Sequence, residues 1–336
     1  EVTSEDGVVR VVSPIDGTPA ARAGIQSGDY LTAIDGESIV GLTLNEAVRR
    51  MRGQAGTDIT VTVAREGTDP FDVTLTREII NVRAVTARVE GGDIGVIRIS
   101  TFNERTGDML QDAIRTVKRD TGGRLAGVIV DLRTNPGGLL DQAIEVSDAF
   151  LDGGEVVSTR GRQPEDVQRY TARRGEDLAG VPVVVLINEA SASAAEIVAG
   201  ALQDRNRALV VGMDSFGKGS VQTVIPLQGG RDGALRLTTA RYYTPAGRSI
   251  QGAGITPDIE VAARRVDPER LTRLRLSEAD LPNALDNESG AQRRGLHVPD
   301  DQPPENWDAE EDYQLKRAMD FLRQGTVAER LRARAG

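Results

Sequence analysis

Two short segments hold the residue types from which a hydrolytic site can be built: Ser191-Ala192-Ser193-Ala194-Ala195-Glu196-Ile197 and Phe216-Gly217-Lys218-Gly219-Ser220-Val221-Gln222. The chain has no Cys, and its single histidine, His297, lies in a charged, Pro-rich stretch. A serine nucleophile here has no ready imidazole to take its proton, which leaves a lysine for that work. Ser193 follows an apolar stretch, residues 183–187, and a short turn, and it opens a run of small apolar residues that reads as a helix. A helix start exposes unpaired N–H groups and a partial positive charge. Both favour an oxyanion on a carbon attacked by Ser193. A serine in that position, Ser191 included, also serves as an ordinary N-cap.

Lys218 poses a different requirement. An exposed lysine titrates near 10.4 and is no base at neutral pH, whereas burial can bring it to roughly 7–8. Gly217 and Gly219 let the backbone turn sharply and aim the amine into an apolar pocket. Gln222 is polar and uncharged, suited to holding the amine without stabilising its charged form. The plain alternative is a surface lysine in a loop. A third segment, Asp131-Leu132-Arg133-Thr134-Asn135-Pro136-Gly137-Gly138, reads as buried strand, Pro-Gly-Gly turn and helix start. Such a turn can aim backbone N–H groups, and Gly138 with Ala194 can form an oxyanion hole. It can equally be a simple strand-to-helix turn. Residues 212–218 mimic the first seven positions of a phosphate-binding P-loop, but Gly219 stands where a Ser or Thr is needed and the following residues favour a strand. A nucleotide site is therefore not expected.

The elements that position these residues follow from periodicity. Residues 1–78 read as a small β-rich unit: strands at 8–12, 30–34, 58–64 and 71–76, a short helix at 18–24 with Pro near its start and Gly at its end, and an apolar-faced helix at 44–51. Residues 79–262 hold near-continuous apolar strands at 94–99, 127–132, 181–187 and 208–211, with helices at 109–117, 139–151 and 194–203 between them. That alternation predicts an α/β core with a parallel sheet covered on both faces. Residues 263–336 change character: 267–306 is rich in charge and Pro and reads as a loosely ordered linker. Helix 310–323 carries a Leu315, Met319, Leu322 stripe that suits its own core or a partner subunit.

Bulk properties narrow the function. Net charge is −10 with no long Lys/Arg block, and aromatics are 3%, so nucleic acid is not an expected partner. Absence of Cys removes disulfides, thiolate catalysis and thiolate zinc sites together. No apolar run reaches the roughly 18 residues of a membrane span. A start at Glu1, not Met, reads as a mature or trimmed chain.

Taken together and in this order, the three segments resemble the carboxyl-terminal processing proteases, serine peptidases with a Ser-Lys dyad. The likeness also spans Ser13-Pro14-Ile15-Asp16-Gly17-Thr18-Pro19-Ala20, Gly24-Ile25, Gly28-Asp29 and Ile34-Asp35-Gly36, which look like that family's PDZ domain. The resemblance implies Ser193 as nucleophile, Lys218 as general base, Gln222 as its positioning partner, Gly138 and Ala194 as oxyanion donors, and Glu196 as a supporting carboxylate. It implies a crotonase-like α/β protease core with a small PDZ domain and a partly helical C-terminal region. No metal or cofactor is implied. Expected partners are polypeptides bound by unstructured C-terminal tails, with a homo-oligomer and a possible adaptor protein; the expected address is the bacterial periplasm or cell envelope. Thr134 replaces an expected Asn and Ala195 an expected Ser; the chain also starts beyond the Gly-rich carboxylate-binding loop and first strand expected of a PDZ domain. Two rival activities suit the same scaffold: a non-catalytic peptide-binding or adaptor protein, and a hydrolase of small acyl thioesters.

Overall fold

The computed structural model describes every residue except 1, 6, 16, 66, 81, 82, 164, 228–232, 267–276, 292, 295, 296, 309 and 336. Asp16 of the PDZ likeness and the first ten residues of the charged stretch thus lie outside the described residues. The chain divides into two compact units, Glu1–Arg83 and Ala84–Gly336.

The first unit is an antiparallel sheet with two short helices. Its elements are β1 (Val2–Glu5), β2 (Val8–Val11), α1 (Pro19–Arg22), β3 (Tyr30–Ile34), β4 (Glu37–Ser38), α2 (Leu44–Met51), β5 (Asp58–Ala64) and β6 (Phe71–Thr76). The strand order is β1-β2-β3-β5-β6, with β4 beside β3. Alternation sets the inward face: Ile59, Val61 and Val63 of β5 are buried with Val9, Val11, Leu31, Ile39 and Ala47. A capping box starts α2, the Thr43 side chain accepting from the Glu46 N–H while the Glu46 carboxylate accepts from the Thr43 N–H.

The second unit runs β7 (Val85–Glu90), β8 (Ile94–Ile99), α3 (Thr106–Asp120), β9 (Gly127–Asp131), α4 (Leu140–Asp148), β10 (Gly154–Arg160), β11 (Val167–Ala172), β12 (Val183–Ile187), α5 (Ala194–Asp204), β13 (Ala208–Gly212), β14 (Ser220–Pro226), β15 (Ala234–Tyr243), β16 (Ile259–Glu260), α6 (Tyr313–Arg323) and α7 (Thr326–Ala335). Its main sheet has the order β16-β13-β12-β9-β8-β7. All neighbours are parallel except the edge pair β7 and β8. Side chains alternate between two apolar layers. Val128, Val130, Val183, Val185 and Ile187 pack with α3, α4 and α5. Ile129, Val184, Leu186, Leu209 and Val211 pack with Leu315, Ala318, Phe321 and Leu322 of α6 and Val327 of α7. The C-terminal helix stripe is therefore covered by the chain's own sheet. Burial on both faces is the reason these strands read as unbroken apolar runs.

A second sheet, β11-β10-β15-β14, is antiparallel and does not follow from the βαβ rhythm. Its outer strands are largely exposed, so they lack the apolar run that marks the others. No helix among the described residues is long and apolar enough to cross a membrane.

Candidate active site

Three loops leave the carboxyl ends of the adjacent parallel strands β13, β12 and β9, where open α/β sheets place their ligands. The β12 loop ends at Ser193, which immediately precedes α5 and has φ 55° and ψ −114°. A non-glycine residue there is strained by about 1–3 kcal/mol and persists only where its surroundings impose it. Ser191 is the structural serine of the pair: it is fully buried, its Oγ donates to the Leu132 carbonyl at 2.8 Å, and it accepts from the Asn188 N–H at 2.9 Å.

Glu196 joins this loop to the one carrying Lys218. Its side chain is fully buried one turn into α5. Oε1 accepts from Ser215 Oγ at 2.5 Å and the Gly217 N–H at 2.6 Å. Oε2 accepts from the Ser193 N–H at 2.7 Å and the Lys218 N–H at 2.9 Å. The backbone nitrogens of Ser193 and Lys218 thus share one oxygen, and their separation cannot exceed those two lengths laid end to end. Burial pushes the Glu196 carboxyl up to about 7, against four donors that favour its charged form. The Phe216 N–H adds a further tie, donating to the Ser191 carbonyl at 2.9 Å.

The β9 loop closes the third side. Asn135 is fully buried, accepts from the Gly137 N–H at 2.8 Å and donates to the Ile99 carbonyl at 2.8 Å. Its own carbonyl accepts from the Ala192 N–H at 2.9 Å, linking the loop to the serine segment. Gly137 could not carry a side chain: its φ is +99°, and a Cβ there would stand 2.8 Å from Ser193 Cβ and 3.0 Å from the Ala194 nitrogen. Among the described residues the Gly138 and Ala194 N–H groups have no hydrogen-bond acceptor. Thr134 takes a φ of 55°, costly for a β-branched residue, and is held by its N–H on Asn188 Oδ1 at 2.7 Å. Behind the loop, Arg133 bridges Asp131 and Asp312, the residue that caps α6. Burial alone would raise the Asp131 carboxyl, but the Arg133 guanidinium more than offsets this and holds it below the usual carboxylate range.

The structure therefore brings together Ser193, Lys218, Glu196, Gly138 and Ala194. Lys218 is half-buried, and no hydrogen bond joins its amine to Ser193 Oγ among the described residues. Gln222 is exposed on the edge strand β14, just past a bulge at Val221, with no hydrogen bond to Lys218. Asn135, Asn188 and Ser215 were not singled out from the sequence. Glu196 did leave a trace there, since Ser193-x-x-Glu196 is a capping-box pattern, but that pattern does not announce the second loop it holds. Chemically, the site can present a hydroxyl, a lysine whose backbone nitrogen lies near that of the serine, and two unpaired donors for a developing negative charge.

Residues 93–261 match peptidase family S41, and residues 10–65 match a PDZ domain. A carboxy-terminal-processing protease of Bartonella bacilliformis is 59% identical over 263 residues, covering 78% of this chain and 60% of the relative. A probable CtpA-like serine protease of Staphylococcus aureus is 38% identical, covering 78% of this chain and 51% of the relative. The chain thus spans less than two thirds of the length of these curated relatives. Among solved structures, the photosystem II D1 C-terminal processing protease matches with a TM-score of 0.64 and 31% identity, covering 81% of this chain and 72% of that one.

Proposed function

The chain belongs to peptidase family S41, and from that premise we propose that it is a serine endopeptidase cutting polypeptides near their C-termini through Ser193 and Lys218. The Lys218 amine takes the proton from Ser193 Oγ as the oxygen attacks the scissile carbonyl. The Gly138 and Ala194 N–H groups receive the oxyanion. The Lys218 ammonium returns its proton to the leaving amine, which departs and leaves an acyl-enzyme. The same amine then draws a proton from water as its oxygen attacks the acyl carbon, and the ammonium returns that proton to Ser193 Oγ as the ester bond breaks. Gln222, four residues after Lys218 on β14, would position the amine. The core would follow a crotonase-like plan, and the PDZ domain would take substrate tails and gate the site. Residues 79–262 would form the peptidase core. A periplasmic or envelope address and a homo-oligomer belong to the same proposal.

One observation carries the reading: a strained serine and a lysine share a buried carboxylate oxygen through their backbones, with two unpaired N–H groups beside the serine. The test is a fluorophosphonate probe followed by peptide mapping. Ser193 is expected to carry the adduct, and Ser193→Ala is expected to give neither adduct nor cleavage of an unfolded polypeptide. Labelling elsewhere, or cleavage that survives Ser193→Ala, would remove the assignment.

The same geometry points to how side chains are chosen. A cavity of about 500 Å³ abuts the proposed oxyanion donor and is lined by Phe102, Asn103, Glu104, Arg105, Gly138 and Leu139. A substrate carbonyl on the Gly138 N–H would put its own side chain there. Leu139 occupies the N-cap of α4 without a capping bond and is 42% exposed, a local misfit for an apolar residue. Leu139→Asp is expected to cut the preference for Leu over Lys at the cleaved residue by about tenfold, read as a kcat/KM ratio on matched peptides.

A further inference from the structure

The charged stretch after residue 262 has no role in the mechanism above and lies beyond the residues that match the peptidase family. Part of it nevertheless reaches the lysine loop. The Glu278 N–H donates to the Phe216 carbonyl at 3.0 Å. Arg293 Nη2 donates to the Asp214 carbonyl at 3.0 Å. Asn287 Nδ2 donates to the Gln251 carbonyl at 2.7 Å, and the next residue, Gly252, donates its N–H to the Gly217 carbonyl at 2.8 Å. The carbonyls of three of the four residues preceding Lys218 are thus held from this side.

The arrangement at Phe216 is the most informative. Its N–H is fixed to the Ser191 carbonyl, on the serine loop, and its carbonyl is fixed to Glu278. One peptide segment is stretched between the proposed nucleophile's loop and the C-terminal stretch, two residues before Lys218. The donor is itself held firmly. Glu278 opens a 3-10 turn (Glu278–Asp280) whose N-cap is Ser277, and Ser277 is buried. The Ser277 N–H and Oγ both donate to Asp280 Oδ2, at 2.8 and 2.6 Å. A turn locked by its own cap makes a rigid support, while the lysine loop, with glycines at 217 and 219, has little stiffness of its own.

We infer that the described residues between 277 and 294 form a brace that sets the position of Lys218 relative to Ser193, with the Glu278 backbone N–H as its principal positioning donor. The inference rests on the proposed peptidase reading, because it assigns the brace to the alignment of that amine. It makes the C-terminal stretch a working part of the catalytic unit, not a tether. Catalytic geometry is sensitive to this kind of support, since a misplacement of about 1 Å can cost on the order of a hundredfold in rate.

Glu278→Pro tests it with little collateral change. Proline is favoured at the first position of a helical turn, so the turn is expected to keep its shape while losing the one N–H that holds Phe216. The expected result is a fall in kcat of about tenfold or more with KM within twofold of wild type. Glu278→Ala, which keeps the N–H, is expected to retain the wild-type rate. Arg293→Ala provides a second variant that leaves the turn untouched and is expected to lower kcat in the same direction. Wild-type kcat in both Glu278→Pro and Arg293→Ala would overturn the brace, as would an equal loss in Glu278→Ala and Glu278→Pro. Fluorophosphonate labelling of wild-type Ser193 separates the two levels: without it the peptidase reading fails and the brace with it, whereas labelling together with unaffected variants removes the brace alone.

Discussion

Lys218→Met is expected to lower kcat for peptide cleavage by about 10²- to 10⁴-fold, the range in which a positioned general base contributes. The substitution keeps an unbranched stem of similar length, so packing is disturbed little while the proton acceptor is lost. Its backbone N–H stays on Glu196 Oε2, so the scaffold linking the two loops is retained. KM is therefore expected to move much less than kcat, and the unfolding midpoint to stay close to wild type. Pre-steady-state measurement of the acyl-enzyme distinguishes this from a binding defect, because the burst itself should slow. Retention of wild-type turnover would remove Lys218 as the base. The amine and the Ser193 hydroxyl are not hydrogen-bonded to each other. Catalytic hydrogen bonds commonly tighten only with substrate in place, so the close backbone approach is the relevant constraint.

The parts of this architecture that sequence reveals are those where burial is two-sided or where a backbone demand selects a residue type. Strands β9, β12 and β13 are buried throughout, and their unbroken apolar runs mark them. Gly137 and Gly138 stand out because close approach leaves no room for a Cβ: at Gly138 it would lie 2.1 Å from the Phe102 carbonyl oxygen. The β10 and β11 pair is harder to see, since β11 is mostly exposed and its composition carries no period-two contrast. The charged stretch is the clearest failure. It reads as a loose linker, yet Glu278 and Arg293, among its described residues, grip the lysine loop, and the key contact comes from the Glu278 main chain. A backbone donor leaves no mark in side-chain composition. Helix α6 reads as an amphipathic element with two possible partners, and only the tertiary fold decides that Leu315 and Leu322 cover the second face of the sheet.

Glu196→Gln is expected to reduce kcat/KM by about a hundredfold although it changes one atom in size by almost nothing. The carboxylate receives four donors, two on each oxygen. An amide has a single acceptor oxygen, so its NH₂ must face one of the two pairs. Turned toward Ser193 and Lys218, it orphans both N–H groups that hold the two loops together. Turned toward Ser215 and Gly217, it can use the serine hydroxyl as an acceptor but still orphans the Gly217 N–H. Each buried donor left unpaired costs about 1–3 kcal/mol, so a lowered unfolding midpoint is expected alongside the loss of rate. The pH dependence of stability supplies an independent signature. Burial raises the Glu196 carboxyl from 4.5 to about 7 in the folded chain. Between those values the folded state holds a proton that the unfolded state has released, so this group's contribution is complete below the lower value and is lost as pH rises through the upper one. Glu196→Gln has no such proton, and denaturant titrations across that window should show a flatter decline than wild type. Unchanged cleavage together with an unchanged pH slope would show that the shared carboxylate neither aligns the two loops nor titrates in this range.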